Sequence, residues 1–116
     1  MKFTALVAFI KSEEEEEAIK VAKEEGAGSV TIISGKTIGL EEKKIFFGLT
    51  LEENVSILIF ILPIRLSRKV MRSLRTSLDL DNIENRGLIF SIPLSHVAGL
   101  DFKELQSFED NIKTML

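Results

Sequence analysis

The stretch Val55-Ser56-Ile57-Leu58-Ile59-Phe60-Ile61-Leu62 carries no charge and has large apolar groups at both alternate sets of positions. In an extended chain successive side chains point to opposite faces. As a strand, it puts Val55, Ile57, Ile59 and Ile61 on one face and Leu58, Phe60 and Leu62 on the other. Both faces then need cover. Phe3–Ile10 repeats the pattern, with Phe3, Ala5, Val7 and Phe9 on one side and Leu6, Ala8 and Ile10 on the other.

Helical spacing takes over between these runs. Ser12 followed three residues later by Glu15 has the form of a capping box, and predicts a helix that buries Ala18, Ile19, Val21 and Ala22. Gly26 fits the position just past its end. The acidic run Glu13–Glu17 looks like a ligand cluster, but at a helix N-terminus it complements the dipole, which is the plainer reading. Residues 28–34, rich in β-branched side chains, predict a second strand. A loop is expected from Gly35 to about Lys44, then a short strand or apolar loop foot at Ile45–Thr50, and a turn at Glu52-Glu53-Asn54. Pro63 should end the opening strand. A second helix is expected from Ser67 to about Leu78, with Leu66, Val70, Leu74 and Leu78 recurring every four residues. Its opposite side carries Arg65, Arg68, Lys69, Arg72 and Arg75. That surface suits a phosphate, a nucleic acid or an acidic partner, although a solvated helix face is the plainer reading. After a polar loop, Gly87–Pro93 predicts a further core strand, with Leu94–Leu100 as a short continuation. Asp101 opens a last helix with a stripe of Phe102, Leu105, Phe108 and Ile112.

The order β-α-β, loop, β-α-β fits an α+β, ferredoxin-like fold: a four-stranded antiparallel sheet with two helices on one face, plus a C-terminal helix. At 116 residues this is one domain, residues 1–116, with a loop region at 35–54 and a helical tail at 101–116. The helix-free face is apolar, larger than monomers usually leave wet. Neighbouring subunits, the tail helix, or both should cover it.

Composition narrows the chemistry. No cysteine is present, which excludes disulfides and cysteine-ligated metal sites, and no tyrosine or tryptophan occurs. The net charge of −3 argues against a general nucleic-acid or membrane-surface binder. Residues 1–60 hold 7 basic and 11 acidic groups; the remainder hold 8 and 7. No cleavage site follows Phe3–Ile10, and the run Val55–Ile64 is half a membrane span, so a cytoplasmic protein is expected. The single histidine, His96, cannot build a multi-histidine metal site. No serine elbow, dinucleotide fingerprint or phosphate-loop sequence occurs, so no enzyme is expected. Two loops pair a strand-end glycine with a cation: Ser34-Gly35-Lys36-Thr37-Ile38-Gly39 and Asn85-Arg86-Gly87. Glycine lets backbone N–H groups approach an anion while Lys or Arg supplies charge. Each also reads as an ordinary turn.

Taken in order, these pieces resemble the PII family of nitrogen-regulatory signalling proteins, in a short PII-like version. The resemblance runs from Met1-Lys2 to about Leu100. It includes the acidic first helix closing at Glu25-Gly26, the second strand ending in Gly35, and the apolar run Val55–Pro63. The clearest local match is Arg86-Gly87-Leu88-Ile89-Phe90-Ser91-Ile92, followed by Val97. It implies a homotrimer with inward-packed sheets, clefts between subunits that bind adenine nucleotides, and a T-loop that docks on a partner protein such as a membrane transporter or an enzyme. By the same resemblance, Gly35, Lys36 and Thr37 form the T-loop base, Leu62 belongs to the adenine-side wall, and Asn85, Arg86 and Gly87 form the phosphate loop. Leu88 stands where many members have a phosphate-binding lysine, and the paired arginines of the C-terminal phosphate site are absent from Ser95–Asp101. The effector is therefore left open among ADP, AMP, ATP, another small anion or none. A CutA-like trimeric metal-binding protein is the alternative. An RNA-binding module ranks last, because the strands lack exposed aromatics with basic neighbours.

Overall fold

The computed structural model describes residues 2–40, 45–46, 49–50, 52–82 and 87–100. The expected tail helix, together with Asn85 and Arg86, lies outside the described residues. Strand β1 (Phe3–Lys11) leads through a 3₁₀ turn at Ser12–Glu14 into α1 (Glu15–Glu25). Then come β2 (Thr31–Ile38), the two-residue strands β3 (Ile45–Phe46) and β4 (Leu49–Thr50), β5 (Glu52–Pro63), α2 (Ile64–Ser77) and β6 (Leu88–Leu94).

The main sheet has the order β2-β5-β1-β6, and every neighbouring pair is antiparallel. With two helices on one face, this is the expected α+β, ferredoxin-like architecture. The alternation in β1 and β5 sets the layers. Leu6, Ala8 and Ile10 of β1 and Leu58, Phe60 and Leu62 of β5 are all nearly inaccessible. They pack with Ala18, Ala22, Leu66, Val70 and Leu74 of the two helices. Each leucine, isoleucine, valine or phenylalanine among them contributes roughly 1.5–3 kcal/mol by leaving water.

Helix α1 ends as its glycine predicts. Gly26 has φ 116°, its N–H donates to the Lys23 carbonyl at 3.1 Å, and the Ala27 N–H donates to the Ala22 carbonyl at 3.0 Å. This is a Schellman closure. Its start differs from the expected capping box. Ser12 opens the 3₁₀ turn, no side chain caps α1, and Glu15 accepts a 2.7 Å hydrogen bond from the Ser56 hydroxyl of β5 instead. Burial of Ser56, at 2% exposure, demands a partner, and the nearby carboxylate supplies it.

Four further expectations are corrected. Strand β2 starts later and continues through Gly35, Lys36 and Thr37 to Ile38, where a loop was expected. Residues Glu52–Asn54 form no turn but the first part of β5. The register explains both: Gly35 faces Val55, Lys36 faces Asn54, Thr37 faces Glu53 and Ile38 faces Glu52. Ladder pairing with a long partner overrides weak local strand propensity. Helix α2 begins directly after Pro63, whose φ of −57° suits a helix entry, and the Ile64 N–H donates to the Lys2 carbonyl at 3.2 Å. Beyond Leu94 the described chain forms no further strand.

The helix pair is antiparallel and joined by a polar seam. Ser77 donates to Glu17 at 3.1 Å, Ser73 donates to Glu25 at 3.0 Å, and the Lys69 ammonium lies 3.4 Å from the second Glu25 oxygen. At the far end of α2 the Arg75 guanidinium contacts both Asp81 oxygens, at 2.9 and 3.1 Å. Among the described residues no helix is long and apolar enough to cross a membrane.

Candidate functional site

The opposite face of the sheet carries no helix among the described residues. The register lines up Phe3, Ala5, Val7 and Phe9 of β1 with Ile57, Ile59 and Ile61 of β5 and with Leu88, Phe90, Ile92 and Leu94 of β6. Ala5 and Val7 are buried, yet Ile33 (45%), Ile61 (38%), Ile92 (47%) and Leu88 (56%) around them are exposed. The Phe9 and Phe90 rings stack with centroids 5.9 Å apart. This continuous apolar surface is the feature the alternation in β5 predicts.

The candidate ligand residues are distributed around this sheet. Gly35, Lys36 and Thr37 sit on β2, one edge strand; Gly87 precedes β6, the other edge strand. Both lie toward the Lys11 end of the sheet, because Gly35 pairs with Val55 opposite Lys11, and Leu88 pairs with Phe9. Three strand spacings of about 4.8 Å put the two edges on the order of 14 Å apart. One chain therefore does not bring them together. Leu62 lies toward the other end of β5, opposite Thr4. It is 1% exposed in the core, so it offers a ligand no surface within the single chain.

Three of the described site residues, Gly35, Gly87 and Lys36, have contacts within the chain that bear on their role. A Cβ at Gly35 would make ordinary contacts, 3.6 Å to Val55 and 3.7 Å to Ile57. A Cβ at Gly87 would instead overlap a terminal methyl of the half-buried Leu80 side chain, which must move aside to admit it. The Lys36 ammonium lies 3.7 Å from the Glu52 carboxylate, an exposed pair of small energetic weight. Ladder β3/β4 pairs Ile45 with Thr50 and Phe46 with Leu49, so the region between β2 and β5 contains hairpin structure of its own.

Two groups stand out that the residue patterns did not flag. Glu14, in the 3₁₀ turn, has one carboxylate oxygen buried without a hydrogen-bond partner. Burial raises its pKa above the ordinary carboxylate value, Lys11 lowers it in part, and Glu13 raises it further. A pocket of about 310 Å³ lies between α1 and the entry to β2, lined by Ile19, Ala22, Lys23, Ala27, Val30 and Phe60 among others. Neither has a sequence signal, since both arise where the chain leaves one element for the next. Among the described residues no group of three or more His, Cys, Asp or Glu is placed to hold a metal ion.

No family model matches the chain, and no curated protein matches it in sequence. Solved structures do match. The divalent ion tolerance protein CutA1 from Ehrlichia chaffeensis is 13% identical, with 96% of each chain covered and a TM-score of 0.66. The Bacillus subtilis GlnK–ATP complex is 15% identical, covering 81% of this chain and 83% of that one, with a TM-score of 0.63. The PII-like protein CPII from Thiomonas intermedia K12, bound to ADP, AMP and bicarbonate, is 12% identical. It covers 86% and 98% of the two chains with a TM-score of 0.62. The chain also matches 26% of the length of a longer NIF3-related protein from Bacillus cereus, at 19% identity and a TM-score of 0.61. At these identities the likeness is one of fold: this chain has the ferredoxin-like architecture common to the PII-like and CutA structures.

Proposed function

We propose that the chain is a PII-like regulatory protein, a homotrimer that senses a small molecule at clefts between subunits and signals to a partner protein. One observation carries the reading. Gly35, Lys36 and Thr37 lie on one edge strand and Gly87 directly precedes the other, in a sheet whose helix-free face is apolar, so a site that uses both edges is not assembled within one chain. Packing these faces together around a common axis would cover the apolar residues. It would also bring Gly35, Lys36 and Thr37 of one subunit toward Asn85, Arg86 and Gly87 of the next. The ligands of GlnK and CPII, ATP in one and ADP, AMP and bicarbonate in the other, favour an adenine nucleotide as effector.

The role is regulatory rather than catalytic, and needs no resident cofactor. A ligand that binds one arrangement of the segment between β2 and β5 better than another shifts its population, and a partner docked there reads the shift. Isothermal calorimetry with ATP, ADP, AMP and cyclic AMP tests this. Heat is expected with at least one nucleotide, weakened about tenfold or more by Arg86→Ala. No heat with any of the four would overturn the nucleotide part.

A second reading is favoured by coverage: the CutA1 structure matches 96% of this chain, against 81% and 86% for the two PII-type structures. In that reading the protein is a trimeric metal binder. Metal content of the purified protein separates the two, because a stoichiometric bound metal would support the CutA-like role.

A further inference from the structure

The exposed side of α2 holds a stripe of arginines that the proposed ligand site does not use. Arg65, Arg68 and Arg72 occupy positions i, i+3 and i+7, which fall on one side of a helix. From Arg65 to Arg72 the stripe runs about 10.5 Å along the axis. All three are exposed. Their neighbours Lys69 and Arg75 are neutralised within the chain, by Glu25 and Asp81. Among the described residues no such pair involves the three arginines. Like charges at this spacing repel and cost helix stability, and a solvated face needs no such concentration in a chain of net charge −3.

We propose that this stripe is a docking surface for an acidic segment of a partner protein. Its width selects the occupant. It is one helix wide, and α1 alongside is acidic on balance, with exposed Glu16, Glu17 and Glu24 against Lys20 and Lys23, Glu25 being paired with Lys69. A nucleic-acid duplex or an anionic membrane would meet that acidic helix together with the stripe and be repelled. A narrow acidic helix or extended segment fits along the arginines, whose planar guanidinium groups accept carboxylates bidentately. The stripe lies on the side of α2 opposite its buried residues Leu66, Val70 and Leu74, away from the sheet, and the proposal does not rest on nucleotide binding.

The test uses the full-length protein and a fluorescein-labelled 20-residue peptide of Glu and Ala. Controls are a Lys–Ala peptide, a single-stranded DNA 20-mer and phosphatidylserine–phosphatidylcholine vesicles. Saturable binding of the acidic peptide at 50 mM NaCl is expected, weakening as salt rises. The triple variant Arg65→Glu/Arg68→Glu/Arg72→Glu should bind at least tenfold more weakly. The Arg65→Gln/Arg68→Gln/Arg72→Gln variant should fall between it and the wild type, each with unchanged circular dichroism. Absence of saturable peptide binding, binding unchanged in the triple variants, or tighter binding to DNA or vesicles than to the acidic peptide would overturn the proposal.

Discussion

Gly35 and Gly87 are chemically alike as candidate ligand residues, yet their surroundings separate folding from binding. Gly35→Ala adds a methyl at normal contact distance in a strand, and should leave stability unchanged or raise it by up to about 1 kcal/mol. Gly87→Ala pushes a terminal methyl of the half-buried Leu80 aside and should cost no more than about 1 kcal/mol. Adding Leu80→Ala should remove most of the collision, visible as non-additivity in urea unfolding. If Gly35 admits a ligand closely, its alanine variant will fold normally and bind the nucleotide more weakly. Glu14 gives a pH signature. Because its pKa is raised, the folded chain holds this proton more tightly than the unfolded chain does. The group's contribution is therefore most favourable at low pH and is lost as pH rises through the raised titration. Glu14→Gln should raise stability at neutral pH, with the gain shrinking in acid, as thermal melts across pH would record.

At the scale of elements, what the chain reveals depends on whether the cause is local. Alternation in β1 and β5, the four-residue repeat in α2 and the terminating Gly26 are local signals, and each element exists where they point, although α2 and β5 both start three residues earlier. The end of β2 is not local. Gly35–Ile38 become strand because β5 starts as early as Glu52 and offers them partners, which no pattern within 35–38 announces. Amide hydrogen exchange checks this: N–H groups of 35–38 that face β5 should exchange clearly more slowly than those of residues 39 and 40. The capping box fails for a similar reason, since Glu15 is claimed by Ser56, distant in sequence. Ser56→Ala should then cost on the order of 1 kcal/mol, as urea unfolding would record.

For the whole molecule, the apolar sheet face was legible from alternation alone, whereas the candidate site was legible only in pieces. Its glycines and cations are visible as residue types. The separation of Gly35 and Lys36 from Gly87 onto opposite sheet edges appears only once the strand order β2-β5-β1-β6 is known. That separation makes assembly the central claim. Ile61 and Ile92 flank Ala5 across the exposed face, so Ile61→Lys/Ile92→Lys should break the assembly while leaving the helix-side core intact. The most direct measurement is the molar mass of the wild-type protein in solution by light scattering. Three copies of the 13.0 kDa chain are expected, falling to one in the double-lysine variant. A wild-type mass of a single chain would contradict the account.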